Sequence, residues 1–241
     1  MQRHLLLMYS IGKERDEFTK YSKILCEMYA KKHDIDFIFL NSFNNEKKYK
    51  DIRFLKLDII YYYLHKYERV MYLDDTCLIN PSCENLFNIV NEKKIGAMIE
   101  SNYFNRKQYF KRLVKILLKE DINVSDWIMI NNGVLVVSKH HKNLFYIHEH
   151  YKNIINEKND SLDFKDQSFT TIKLNTIKPK YEIFDLTLKY NLVGSKILKL
   201  YNNNEIKKCM DYKICHITRG TKDKRTKIIK EIYKHYSDNI Q

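Results

Sequence analysis

Apolar residues in this chain form short continuous runs that alternate with stretches of helical spacing. Residues 5–9 are the first run and close on Ser10-Ile11-Gly12. Phe18, Tyr21, Leu25, Met28 and Tyr29 then recur at intervals that predict one face of a helix. Residues 36–40 make a second strand, ended by Asn41-Ser42. After a polar loop over residues 44–48, a second helix is expected over residues 51–66, with Ile52, Leu55, Ile59, Tyr62 and Tyr63 turned inward. Lys56 shares that inward side, so it either snorkels or meets an anion at a sheet edge. Residues 70–73 are a third run, and they end abruptly on Asp74-Asp75-Thr76. The order strand, helix, strand, helix, strand predicts an α/β fold with a parallel, doubly wound sheet.

The pattern continues beyond Pro81 with a short helix over residues 84–91 and a strand over 95–100. Residues 106–119 predict an amphipathic helix. Tyr109, Phe110, Leu113, Val114 and Leu117 form one side; Lys107, Lys111, Lys115 and Lys119 form the other, read as a solvated outer face. The most apolar run, residues 127–137, is interrupted by Asn131-Asn132-Gly133. That triplet fits either a strand with a bulge or close backbone approach, or a hairpin turn. A helix over residues 140–156 carries His140, His141, His148 and His150, read as surface residues. An acidic patch leads to Asp166-Gln167 and a helix ending near Leu174; strands are expected at 181–186, 198–201 and 214–217. The loop Thr218-Arg219-Gly220-Thr221-Lys222 precedes a basic closing helix. No repeat or linker divides the chain, so one domain over residues 1–241 is expected.

Composition narrows the classes. The 241 residues are 44% hydrophobic and 13% aromatic, enough for a real core. The formal charge of +13 favours anionic ligands, although the Lys-, Asn-, Ile- and Tyr-rich mixture also reflects AT-rich coding. The lysines are dispersed and no recognition module occurs, which argues against nucleic acid. Cys26, Cys77, Cys83, Cys209 and Cys215 are odd in number and lack a zinc-type spacing, so a reducing compartment is the simpler reading. The apolar start is too short for a signal peptide's core, and no stretch approaches a membrane span. A soluble, cytoplasmic protein is expected, with peripheral membrane contact left open and the oligomeric state undetermined.

The chemistry concentrates where the third strand ends. Adjacent carboxylates at the carboxyl edge of an α/β sheet repel unless a cation neutralises them, and oxygen ligands favour Mg²⁺ or Mn²⁺. The amides of Asn131 and Asn132 suit sugar hydroxyls.

Taken in order, these landmarks resemble GT-A fold glycosyltransferases, most closely the family 8 or glycogenin-like group. The resemblance rests on Lys56, on Tyr72-Leu73-Asp74-Asp75-Thr76, on Asn131-Asn132-Gly133, on Asp166-Gln167, and on His216 followed by Gly220 and Lys222. It covers nearly the whole chain and implies a single GT-A domain with a mostly parallel sheet flanked by helices. Residues 1–80 would be the nucleotide-binding half, and residues 81–241 the sugar and acceptor half with the closing metal and phosphate loop. The implied activity is metal-dependent transfer of a hexose from a UDP-sugar to an unidentified glycan, protein or lipid, with retention. The family holds Mn²⁺ between an Asp-x-Asp motif and a C-terminal His. Asp74 and His216 take the outer positions, but Thr76 stands where the second Asp belongs. Either Asp75 substitutes, or Thr76 coordinates through its hydroxyl or a water, or the metal is weakly held. The family's His-x-x-Gly carries one extra residue here, Arg219; Lys222 is the nearest match to its phosphate lysine, and with Arg219 as a second candidate it would face the phosphate. By the same resemblance Tyr9 and Ser10 would meet the nucleotide base. Asn132, Asp166 and Gln167 would act at the sugars with Asp74; Lys56, Asp75, Gly133 and Gly220 would complete the donor site. The alternatives are an inactive sugar-nucleotide-binding domain, favoured by Thr76, and a sugar nucleotidyltransferase. The latter would want more glycines than Ser10-Ile11-Gly12-Lys13 offers.

Overall fold

The computed structural model describes residues 3–12, 15–44, 48–118, 122–158 and 164–238. Its main sheet has six strands in the order β2-β1-β3-β6-β5-β7. These are β1 (His4–Tyr9), β2 (Asp36–Leu40), β3 (Arg69–Asp74), β5 (Lys94–Ile99), β6 (Ile130–Ser138) and β7 (Glu182–Asp185). A smaller sheet, β4-β9-β8, is formed by β4 (Cys77–Ile79), β8 (Leu192–Val193) and β9 (Ile214–His216). In the main sheet only β6 runs against its neighbours; β1 pairs in parallel with β2 and β3, and β5 with β7. The mostly parallel α/β sheet expected from the pattern is therefore present.

Period-two alternation builds the layers. Leu5, Leu7 and Tyr9 of β1, with Val70 and Tyr72 of β3, face one apolar cluster; Leu6, Met8, Met71 and Leu73 face the other. The first cluster is covered by α2 (Leu55–Tyr63), α4 (Lys107–Leu117), α5 (Glu149–Glu157) and α6 (Asp166–Thr176). The second is covered by α1 (Asp16–His33), α3 (Leu86–Ile89), α7 (Gly194–Asn202), α8 (Lys222–Ser237) and the small sheet. Burial on both faces explains why these strands read as continuous apolar runs. Helix α1 stops at Asp34, whose φ of 53° takes the left-handed conformation that ends helices.

Several expectations are corrected. Leu198 and Tyr201 lie in α7, not in a strand; Ile197 is the residue of that segment driven fully inward. The His-rich segment is not one helix: a 3-10 stretch, Lys139–Leu144, is separated from α5. Ile52 and Tyr62 are exposed rather than inward, because the chain enters α2 through a 3-10 turn that shifts the apolar face. Asn131-Asn132-Gly133 makes no hairpin and sits inside β6; the pairing of β5 and β6 shifts register between Ala97 and Ile99. β4 and β8 were not foreseen. The outer face of α4 is solvated at Lys107, Lys111 and Lys115, while Lys119, Lys13, residues 45–47 of the polar loop and residues 159–163 of the acidic patch lie outside the described residues. All five cysteines are buried and free.

His141 is fully buried, not a surface residue. Its Nδ1 accepts the Ser138 amide at 3.0 Å and its Nε2 lies 3.2 Å from the Lys93 carbonyl, joining the end of β6 to β5. Burial, reinforced by the neighbouring His140, pushes the imidazole down to about 4. The folded state thus binds fewer protons than the unfolded chain, whose histidine titrates near 6.5. Stability contributed by the neutral ring is therefore present at neutral pH and lost as pH falls from about 6.5 to about 4. At pH 5 the expected loss is about 2 kcal/mol. Urea midpoints at pH 7.5 and pH 5 check this: His141→Gln should flatten the difference, and an unchanged slope would remove His141 as its source.

Candidate active site

The carboxyl ends of β1 and β3 meet the amino end of β6 at the floor of a cavity of about 920 Å³. Parallel pairing sets Tyr9 beside Asp74. Because β6 runs the opposite way, its start, Asn131-Asn132-Gly133, arrives at this same edge: Val134 is the residue that pairs with Leu73. The antiparallel strand is thus what brings two buried amides to the acids.

Lys56 lies at the centre. Its Nζ is 2.8 Å from Asp74 Oδ1 and 3.2 Å from Asp166 Oδ2, and the residue is 5% exposed. Lys56 therefore meets anions rather than snorkelling. Burial opposes its charge, but Asp166 and Asp74 outweigh burial and hold it above the ordinary lysine value. Asp74 is held well below the usual carboxylate range: burial resists, and the Lys56 charge and the His216 contact prevail. Asp166 moves the other way, raised mainly by burial, with Lys56 and the Asn132 Nδ2 bond of 3.0 Å opposing. Tyr72 Oη donates to Asp74 Oδ1 at 2.9 Å.

His216 reaches Asp74 through the small sheet. β9 pairs with β4 so that Cys77 sits opposite His216, and Ile217 N donates to the Thr76 carbonyl at 3.1 Å. His216 Nε2 lies 3.2 Å from Asp74 Oδ2. Its Nδ1 is 3.3 Å from Asn191 Oδ1, an atom that can only accept, so Nδ1 carries the proton. Buried Nε2, which has no hydrogen-bond partner, faces the carboxylate, and a proton or a metal ion between the two would complete the contact. Gly133 makes the approach possible, since a Cβ there would stand 1.9 Å from His216 Cε1. The close backbone approach inferred from the glycine is thus to His216.

The other sequence-selected residues divide. Asn132, Gly133, Asp166 and Gln167 line the cavity with Asp74, Asp75, Thr76 and His216, as do Tyr9 and Ser10. Asp75, however, is engaged elsewhere: Arg15 grips both of its oxygens and Ser10 Oγ donates to it at 2.5 Å. It is not turned to the Asp74–His216 pair. Gly220 and Lys222 do not line the cavity; Lys222 is exposed at the start of α8, while Arg219 and Arg225 line it instead. Further polar residues of the site escaped sequence reasoning, among them Arg15, Arg225, Glu100 and Asn191. Glu100, 5% exposed, accepts from Asn131 Nδ2 at 3.1 Å and Gln167 Nε2 at 2.7 Å, and pairs with Arg106. Asn191, fully buried, links His216 to Asn131 Oδ1. An isolated Asn or Glu carries no spacing signal, and these partners lie 60 and 31 residues away.

A basic-rimmed cavity at the carboxyl edge of a mostly parallel sheet, floored by a lysine-bridged pair of acids, is where an open α/β sheet binds its ligand, and the basic rim suits an anionic one. The family model for glycosyl transferase family 8 matches residues 2–222, and the chain belongs to that family. In fold it is similar to a glycosyltransferase involved in glycosylation of the major capsid of PBCV-1, at 15% identity and a TM-score of 0.62. That likeness covers 95% of this chain and 99% of the other. It is similar also to galactosyltransferase LgtC in complex with donor and acceptor sugar analogs, at 11% identity and a TM-score of 0.52, over 94% and 95% of the two chains. A comparison with curated proteins found no match. No helix among the described residues is long and apolar enough to cross a membrane.

Removing one partner of a buried charge cluster strands the others. Lys56→Met should therefore lower unfolding stability by about 3–5 kcal/mol. A Lys56→Met/Asp166→Asn double variant should recover part of it. Denaturant titration checks both, and additive losses would show that the two charges are not coupled.

Proposed function

We propose that the chain transfers a hexose from a UDP-sugar to an acceptor hydroxyl, with retention and with help from Mn²⁺ or Mg²⁺. The observation that carries this is the convergence of Asp74 Oδ2 and the unpartnered His216 Nε2, 3.2 Å apart at the cavity floor. Two ligands on one octahedral ion, each about 2.1 Å from it and at right angles, stand about 3 Å apart. The donor set therefore fits a divalent ion that Asp74 and His216 would hold, and Thr76 lines the same cavity. Among the described residues no cluster of three or more His, Cys, Asp or Glu supplies further protein ligands. The remaining positions would fall to water and the donor's phosphates, which is the usual coordination of Mg²⁺. When bound, such an ion supplies Lewis-acid stabilisation to the leaving diphosphate.

The chain's own residues would do the rest. In the reaction the bond from the anomeric carbon to the diphosphate oxygen breaks and the acceptor oxygen bonds that carbon. The hydroxyl proton passes to the departing diphosphate. Lys56 neutralises Asp74 and Asp166 so that both remain at the floor. Asp166, steadied by Asn132, and Gln167, steadied by Glu100, present polar groups to the sugars. Tyr9, at the end of β1, would lie under the nucleotide base, and the first 80 residues would form the nucleotide half. The bound donor and acceptor analogs of the LgtC structure support a two-substrate cavity.

A second reading has one observation in its favour. Thr76 replaces an acid and Asp75 is committed to Arg15, which leaves few charged metal ligands. This favours a domain that binds a sugar nucleotide without transferring it.

UDP with Mn²⁺ should raise the melting temperature by roughly 5–10 °C at a hundred times its dissociation constant, a stabilisation of about 2.7 kcal/mol. EDTA should remove most of the shift. Asp74→Asn should abolish donor hydrolysis while keeping the fold. A melting curve flat across UDP, GDP and ADP with Mn²⁺ would sink the transferase reading. A UDP shift without any hydrolysis or transfer would select the inactive domain.

A further inference from the structure

The cavity holds more positive charge than its acids can use. Arg53 is paired with Asp51, Arg106 with Glu100 and Arg15 with Asp75, while Lys56 serves Asp74 and Asp166 together. Every acid on the lining thus has its cation. Arg219 and Arg225 line the same cavity, and among the described residues no ion pair or side-chain hydrogen bond engages either of them. Arg219 is exposed to solvent. Arg225 is different: it is half-buried, and its Nε is out of solvent with no partner.

Arg225 is also held in place. Its guanidinium lies 5.7 Å from the centre of the Phe18 ring, and that of Arg15 lies 5.3 Å from the same ring. Phe18 is buried on α1, and Lys230 of α8 pairs with Glu17 of α1 at 3.1 Å, so the two helices are tied beside the cavity. Two guanidinium groups consequently face one carboxylate, Asp75, and Arg15 already occupies both of its oxygens. Burial and then the Arg15 charge push the Arg225 guanidinium below the ordinary arginine value. Like charges crowded on one aromatic ring with an orphaned buried N–H form an arrangement that an anion completes.

We infer that Arg225, positioned beside the Asp75-anchored Arg15, receives the donor's diphosphate in this chain, the task the resemblance assigned to Lys222. Asp75 then serves the phosphates at one remove, by fixing Arg15, rather than as a metal ligand. Planar guanidinium groups bind phosphate oxygens with two parallel bonds, so the pair specifies the diphosphate more sharply than a lysine would. This rests on the donor being a nucleoside diphosphate sugar. It goes further by naming the groups that hold the phosphates.

Calorimetric titration of the full chain with UDP and with inorganic pyrophosphate, beside ligand-detected NMR with uridine, tests it. Arg225→Gln should weaken UDP and pyrophosphate about tenfold to a hundredfold, the range of one charge-assisted pair. Uridine binding should not change. Arg225→Lys should recover part of the loss, and Lys227→Gln, an equal change of charge on the exposed face of α8, should have no effect. UDP affinity in Arg225→Gln within twofold of wild type would overturn the inference, as would an equal loss for uridine or for Lys227→Gln. If wild type binds UDP and Lys222→Gln alone carries the loss, Arg225 is displaced and the donor reading stands. If wild type binds neither pyrophosphate nor any of UDP, GDP and ADP, the donor reading itself fails and takes this inference with it.

Discussion

Lys56 bonded to both Asp74 and Asp166 is the constraint on which the rest of this site depends. Three ionised groups lie at the inner edge of a sheet whose neighbouring strands are apolar on both faces. Such charges are costly to bury unless each is paired and hydrogen-bonded. The lysine comes from α2, one acid from the end of β3 and the other from the first turn of α6. One ammonium therefore pins three separate segments of the chain to one point. The tertiary packing of α2 and α6 over the sheet gives this pin its geometry. The pin in turn keeps Asp74 ionised and aimed at His216.

The small sheet answers a matching problem. His216 is 142 positions beyond Asp74 by sequence number, and it must arrive within hydrogen-bond distance of it. Pairing of β9 with β4, which follows the acidic turn directly, fixes that arrival by backbone register rather than by side-chain contact. Gly133 supplies the clearance on the opposite side, and the Asn191–Asn131 bond of 2.9 Å ties the histidine's support to the same strand. Backbone pairing of β9, clearance at Gly133 and the Asn191 amide thus converge on one imidazole, whose hydrogen bond at Nδ1 leaves Nε2 open. That open nitrogen faces the Asp74 carboxylate at 3.2 Å, the contact on which the proposed metal site rests.

The sequence made the layers legible where burial was two-sided and the period was strict. Residues 5–9 and 70–73 read as strands because both of their faces are apolar, and they are strands. Asp74, Lys56 and Gly133 stood out because each breaks an apolar pattern. The misreadings share a different cause. Leu198 to Tyr201 is apolar enough for either structure, and only the packing of Ile197 on the small sheet decides for helix. His141 reads as surface until β6 is known to end beside the Lys93 carbonyl. Glu100, Asn191, Arg15 and Arg225 gain their meaning from partners far away in sequence, so no local window contains them. Lys222, selected by its spacing from His216, stands exposed at the start of α8 and outside the cavity lining, whereas Arg219 and Arg225 line the cavity.

Charge around the acidic turn is arranged for bridging, with Asp75 joining Arg15 to Ser10. Thr76 removes a carboxylate from the floor, and Asp75, which could have replaced it, faces the opposite direction into Arg15 and Ser10. Had Asp75 turned inward instead, it would have stood beside Asp74 as a second uncompensated anion with only Lys56 nearby, and Arg15 would have joined Arg225 as an unpaired cation on Phe18. The observed arrangement avoids both penalties at once. It leaves the floor with one strongly ionised acid and the rim with an unmatched arginine. A ligand suited to that asymmetry must carry its own negative charge to the rim and bring or share a cation at the floor. A nucleoside diphosphate chelating a divalent ion, the proposed donor group, would have both properties, whereas a neutral sugar or a nucleoside alone would have neither.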